Sequence, residues 1–226
     1  MGGGVATRYE AVRRHVIDAA DAAGRDPAEV TIVAVTKTVG LDDVRQASDA
    51  GVRDFGENRV QEFLGKYGLF PGVNWHFIGS LQTNKVKDVV GRAALIHSVD
   101  SSRLLNEVSR RAVDAGCVQD ILLQVNVSGE GSKHGFEPAD LHDVLVEASH
   151  LPGVSVRGLM TMAPFDRPEE VRWVFRSLRE LRDSLREMPL NGVELYELSM
   201  GMTNDYRVAV EEGATIVRVG RAIFGR

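Results

Sequence analysis

The segment ELYELSMGMTNDYRVAVEEGATIVRVGRAIFG, residues 194–225, contains a complete strand–helix–strand unit. Residues 194–198 read as a strand, the apolar spacing widens to that of an amphipathic helix over 203–212, and 216–219 read as a second strand. Gly213 stands where a helix hands over to a loop. Two neighbouring strands joined through a helix run parallel, and the crossover between them is right-handed. Both strands lead into small or glycine-containing stretches, Ser199-Met200-Gly201 after the first and Gly220-Arg221 after the second.

The same alternation runs back toward the N-terminus. Strands are predicted at 30–35, 53–55, 74–77, 95–99, 121–127 and 154–160, with helices at 41–50, 57–66, 84–90, 101–115, 138–149 and 168–187. A further amphipathic helix over 6–23 precedes the first strand, after a glycine-rich start at 1–5 that is expected to be flexible. Asp100-Ser101 and Gly116 bracket one helix with an N-cap and a C-terminal glycine. The stripe Val171, Val174, Phe175, Leu178, Leu181, Leu185 and Met188 marks the buried face of another, and its interleaved arginines and glutamates read as a solvated face. Strands alternating with helices in this number predict an α/β fold, a single (β/α)8 TIM barrel occupying 1–226 as one domain with an extra N-terminal helix.

Composition narrows the partners. The chain sets 27 Lys+Arg against 32 Asp+Glu, so general attraction to nucleic acid or to an anionic membrane is not expected. No apolar run reaches the roughly 18 residues that a spanning helix needs, and no basic stretch followed by an apolar core marks a secretory leader. The lone cysteine, Cys117, has no intramolecular partner, which suits a reducing, cytoplasmic setting.

Chemistry in such a barrel gathers where strands end and βα loops begin. The first strand ends in Thr36-Lys37. Apolar walls around that lysine would disfavour its ammonium form and leave a nucleophilic amine, while the plainer reading is a solvated lysine at a strand end. The loops after the seventh and eighth strands, with the short segment 222–225, fall where these barrels bind phosphate through backbone N–H groups. Ser199 adds a hydroxyl there, whereas Asp205 opposes an anion unless it turns away as a helix cap. Arg218, on the last strand, is costly to bury unless an acceptor faces it. A carboxylate or a pyridine nitrogen would serve. His76, His97 and His134 have no second ligand at metal spacing, so they are read as structural histidines and no metal site is expected. The glycine-rich, charged stretch 128–135 is read as a lid, a partner surface or a simple linker.

With these residues in place, the chain resembles the pyridoxal phosphate homeostasis protein family, the proline-synthetase co-transcribed type. The resemblance runs in order through VAVTK (33–37), FGENRVQE (55–62), WHFIGSLQTNK (75–85), VNVSGEGSKHGF (125–136), GLMTMAP (158–164), SMGMTNDY (199–206) and VRVGRAIFG (217–225), and so covers nearly the whole chain. It implies a barrel similar to the N-terminal domain of alanine racemase. It also implies pyridoxal 5′-phosphate (PLP) as cofactor, held as a covalent aldimine on Lys37. Phosphate contacts are implied from Ser199, Gly201, Gly220 and the backbone of Arg221, with Asn58 beside the cofactor and His76 and Met160 or Met162 lining its ring. By analogy with the racemase barrel, Arg218 faces the pyridine nitrogen. Arg59 stands where many relatives carry an aromatic residue.

An arginine at the pyridine nitrogen keeps its own proton, so the ring nitrogen stays unprotonated and the cofactor is a weak electron sink. Transamination is then not expected. Racemisation needs a second acid/base on the opposite face of the substrate, and Tyr9, Tyr67, Tyr196 and Tyr206 offer no obvious one. The chain is therefore read as a PLP-binding protein of intracellular PLP homeostasis and not an enzyme, a monomer or weak dimer whose partners are PLP and PLP-dependent apoenzymes. The alternative is a small PLP-dependent amino-acid racemase. A more remote reading is a sugar-phosphate lyase barrel with a Schiff-base lysine, which leaves Arg218 unexplained.

Overall fold

The computed structural model describes residues 3–129 and 134–225. Strands β1 (Thr31–Val35), β2 (Asp54–Glu57), β3 (Asn74–Phe77), β4 (Leu95–Val99), β5 (Gln119–Gln124), β6 (Val154–Met160), β7 (Val193–Met202) and β8 (Ile216–Val219) form a closed barrel in sequence order. Every neighbouring pair is parallel, and β8 closes on β1 through a register running from Thr31↔Ile216 to Ala34↔Val219. The helices are α1 (Val5–Ala22), α2 (Leu41–Asp49), α3 (Val60–Lys66), α4 (Val86–Val89), α5 (Ser102–Asp114), α6 (Leu141–Ser149), α7 (Arg172–Leu185), α8 (Tyr206–Glu211) and α9 (Arg221–Phe224).

Because side chains alternate across a strand, each strand splits its residues between two cores. Phe55, Trp75, Phe77, Ile96, Leu123, Leu198 and Val217 face outward and pack with helix residues such as Val44, Leu105, Leu145 and Phe175. Val33, Leu95, Leu122, Met160 and Ile216 form a separate small cluster on the other face, inside the barrel. Burying each large side chain contributes about 1.5–3 kcal/mol, so the outer core is the main source of stability. Helix α1 lies against α8 and α9, buries Val5, Val12, Val16, Ala19 and Ala20, and ties the last helix through Arg8 Nε to the Ile223 carbonyl at 2.7 Å.

The helix brackets appear as expected at α5, where Ser101 accepts from Leu104 N. Several boundaries differ, those of β2 and β7 for a tertiary reason. Strand β2 runs on through Glu57, paired with Phe77, and α3 starts only at Val60; pairing with β3 overrides the helical pattern of 57–66. Strand β7 extends to Met202, so Ser199 and Gly201 are strand residues and not loop residues. Between the Ser199↔Ile216 and Met202↔Arg218 pairs the register shifts. Gly201 adopts φ +88°, and a Cβ there would lie 2.5 Å from the Ala209 Cβ, which explains a glycine within a strand. Strand β5 starts at Gln119 and ends at Gln124. Helix α7 begins at Arg172, and its arginines are not simply solvated: Arg172, Arg176 and Arg179 converge on the buried Glu212. At the N-terminus Val5 already starts α1 and is buried, so of the stretch 1–5 expected to be flexible only residues 1–2 lie outside the described residues. Of the lid or partner loop 128–135, residues 130–133 likewise lie outside them.

Candidate functional site

The β1 ladder continues to Thr36, whose N–H donates to the Gly56 carbonyl at 2.9 Å. Alternation from inward Val33 therefore brings Lys37 out of the strand on the barrel side. Lys37 is exposed, so the apolar walls expected to desolvate its ammonium form are not what surrounds it. Asn58 leaves β2 with the same parity as Gly56, and its Oδ1 is buried with no hydrogen-bond partner. On the other side of β1 lies β8, with Arg218 paired to Val33. Past it comes Gly220, where a Cβ would sit 3.3 Å from the Val35 carbonyl. Closure of the barrel thus places Arg218 and Gly220 beside the strand that leads to Lys37.

Arg218 is buried, and burial pulls its guanidinium down to about 10, partly countered by the Asp205 carboxylate. Among the described residues its five N–H donors meet two acceptors: Nη1 donates to Ser199 Oγ at 2.5 Å and Nη2 to the Thr161 carbonyl at 2.9 Å. From Ser199 a chain of hydrogen bonds crosses the barrel. Ser199 Oγ lies 2.8 Å from His97 Nδ1, His97 Nε2 lies 2.9 Å from His76 Nδ1, and His76 Nε2 lies 3.2 Å from Asp54 Oδ1.

The direction of this chain follows from its ends. Arginine only donates, so Ser199 Oγ accepts from it. At the other end the Asp54 carboxylate only accepts, so His76 donates from Nε2. With one proton on each ring, His76 Nδ1 accepts from His97 Nε2, and His97 Nδ1 accepts the Ser199 hydroxyl proton. Burial, with His76 and Arg218 nearby, holds the His97 imidazole well below its ordinary value and hence neutral. A neutral His97 accepting at Nδ1 carries its proton on Nε2 and donates to His76, which donates in turn to Asp54. Burial alone would raise the Asp54 carboxyl, but the hydrogen bonds from His76 and Asn74 win and lower it.

Of the residues predicted for the site, Ser199, Arg218 and His76 therefore belong to one network, with His76 at its inner part, three hydrogen bonds removed from Arg218. Met160 packs in the inner apolar cluster, whereas Met162 is exposed beyond β6. Arg221 reaches Asn204 Oδ1 at 3.2 Å and so joins the loops after β7 and β8. Asp205 turns its Oδ1 back onto Met202 N at 2.6 Å, and its burial raises its carboxyl. Sequence reasoning missed Asp54, His97 and Thr161 as members of the network. The usable signal was inward parity, with His76 set between outward Trp75 and Phe77 and His97 following outward Ile96.

The residues present fit a flat anionic heteroaromatic group such as PLP. A buried amide oxygen without a partner awaits a donor, and a buried guanidinium holds more donors than acceptors.

A family model described as alanine racemase, N-terminal domain, matches residues 8–226. The chain is 46% identical over 221 residues to a pyridoxal phosphate homeostasis protein of Aquifex aeolicus, covering 96% of each chain. It is 41% identical to the protein of that name from Pseudomonas aeruginosa, over 98% of this chain and 95% of the relative. Among solved structures, PipY of Synechococcus elongatus with PLP bound superposes with a TM-score of 0.84 at 36% identity, covering 98% of this chain and 100% of that one. An alanine racemase of Clostridium difficile shares the fold at 13% identity, with a TM-score of 0.72 over 93% of this chain and 55% of that one.

Proposed function

Because the chain belongs to the pyridoxal phosphate homeostasis protein family, built on the alanine racemase N-terminal fold, we propose that it binds PLP at the barrel mouth and serves in PLP homeostasis. It holds the cofactor as a Schiff base on Lys37 and passes it to apoenzymes. The observation that carries this reading is the buried Arg218 guanidinium, paired in register with the strand that ends in Lys37 and holding more donors than acceptors. PLP supplies an aldehyde that an amine captures, together with a ring nitrogen and a phosphate for the protein to hold.

Each residue then has a separable task. Arg218 donates toward the ring nitrogen and keeps it unprotonated. Asn58 Oδ1 accepts from the ring hydroxyl. Backbone N–H groups around Gly220 and Arg221, with Gly201, receive the phosphate. Ser199 has one proton to give, and its present acceptor is His97, so a phosphate contact from Ser199 requires that hydroxyl to turn. A carrier and not a racemase is favoured by the fate of Tyr206. Its hydroxyl is engaged by His15 of α1 at 2.9 Å, away from the role of a second acid/base.

The reading is tested by the visible spectrum of purified protein incubated with PLP, followed by borohydride reduction and peptide mapping. A coloured protein with the reduced adduct on Lys37 is expected. A protein that takes up no PLP would refute the reading, and amino-acid-dependent proton exchange at Cα that disappears in Lys37→Ala would move the function to racemisation.

A further inference from the structure

We propose that a buried ion pair behind the sheet, Glu57 with Lys66, positions Lys37 for covalent capture of PLP, a proposal that rests on the reading of Lys37 above. Lys66 is the last residue of α3, and its side chain is only 9% exposed. Its ammonium donates to Glu57 Oε1 at 2.5 Å and to the Thr36 carbonyl at 2.7 Å. The same Oε1 accepts from Thr36 Oγ1 at 2.6 Å. One turn earlier on α3, Glu62 Oε2 accepts from the Thr38 N–H at 2.9 Å and lies 4.0 Å from Lys66 Nζ.

Both neighbours of Lys37 are therefore anchored to the β2–α3 unit. Thr36 is held at its N–H, its carbonyl and its hydroxyl, and Thr38 is held at its N–H. Thr38 has φ +59°, the left-handed region, which a β-branched residue rarely occupies. Such a conformation persists where its surroundings over-determine it. It turns the chain sharply just after Lys37, whose side chain is exposed.

Stability does not explain the pair. A buried lysine and glutamate lose their water, and apolar residues of similar volume are often as good or better for folding. Here the second glutamate oxygen, Oε2, is also buried without a hydrogen-bond partner, a further cost. What the pair supplies is a fixed backbone at Thr36 and a cation that neutralises the carboxylate in place of Lys37.

Capture requires the unprotonated Lys37 Nζ to attack the aldehyde carbon of PLP. A C=N bond forms, the aldehyde oxygen leaves as water, and both amine protons depart with it. The rate of that step depends on how well Nζ is placed, whereas non-covalent docking of the ring and phosphate does not involve Nζ. The two are separated by pyridoxine 5′-phosphate, which lacks the aldehyde.

The experiment first maps the borohydride-reduced adduct in the wild-type protein. It then measures the rate of covalent PLP capture and the affinity for pyridoxine 5′-phosphate in Lys66→Met, in the charge-neutral double variant Glu57→Gln/Lys66→Met, and in Lys66→Arg. Thermal melting identifies the variants that remain folded. Capture is expected to slow about tenfold or more in Lys66→Met and in the double variant, to return toward the wild-type rate in Lys66→Arg, and to leave pyridoxine 5′-phosphate affinity within about twofold. The double variant carries the test if Lys66→Met alone fails to fold. An adduct on a residue other than Lys37 would overturn the site reading and this proposal together. With the adduct on Lys37, wild-type capture rates in the folded variants would overturn this proposal alone, as would equal losses of capture and of pyridoxine 5′-phosphate affinity.

Discussion

The outer and inner faces of the same eight strands are built from different material. Outward, strand residues such as Phe55, Phe77, Ile96 and Leu198 merge with buried residues of the helices in one apolar core. Inward, among the described residues, only Val33, Leu95, Leu122, Met160 and Ile216 form a separate apolar cluster. The inner space is shared with a polar file from Arg218 through Ser199, His97 and His76 to Asp54. A barrel interior can be filled by branched apolar side chains alone, and buried polar groups are tolerated only when each finds a partner. The contrast teaches that the fold is secured from outside, which leaves the interior able to hold chemistry that contributes little to folding.

The sharpest way to break this contrast is to damage each face and compare. Phe175→Ala, in the outer core, is expected to cost about 3–5 kcal/mol in urea unfolding, while the folded fraction keeps the wild-type PLP spectrum. Arg218→Met should behave oppositely. Its stability should fall by about 1–3 kcal/mol, the cost of leaving the buried Thr161 carbonyl without its donor. Its PLP dissociation constant should nevertheless rise at least about tenfold, or 1.4 kcal/mol. If Arg218→Met unfolds as readily as Phe175→Ala, the interior is structural core and the contrast fails.

The smallest expected effect depends on pH. His97 is held below its ordinary value of 6.5, so below that pH the unfolded chain binds a proton that the folded protein refuses. Its contribution is therefore present above pH 6.5 and is lost as the pH falls, at about 1.4 kcal/mol per pH unit. Urea midpoints between pH 7 and pH 5 should show this slope in the wild type and a shallower one in His97→Gln. The lowered Asp54 carboxyl acts in a separate window, losing its contribution only as the pH falls below its ordinary 3.8. Equal slopes in the two proteins would mean that His97 is not kept neutral.

Periodicity was enough to read the alternation of strands and helices and the barrel they form, because alternation within each strand is a local property. What escaped was decided by contacts distant in sequence. Gly201 looks like a loop glycine until α8 is placed against it. Glu57 sits in a helical pattern, yet β3 pairs with it. Lys66 reads as an ordinary charged end of a helix, and only packing of α3 against the end of β1 reveals Thr36 and Glu57 as its partners. For the site, the residues at strand ends were visible, and the two histidines had inward parity. Their linkage to Ser199 and Arg218 was not, since β3 and β4 face β7 and β8 only across a closed barrel.

The register of β8 on β1 also sets a schedule. Lys37 follows the first strand of the barrel to be synthesised, whereas Arg218 lies on the last and Gly220 just after it. At about 5–20 residues per second, Lys37 waits on the order of ten seconds for the strand that completes its surroundings. During synthesis it is an exposed lysine like any other, and the chain acquires a place for its ligand only as the final strand closes the ring.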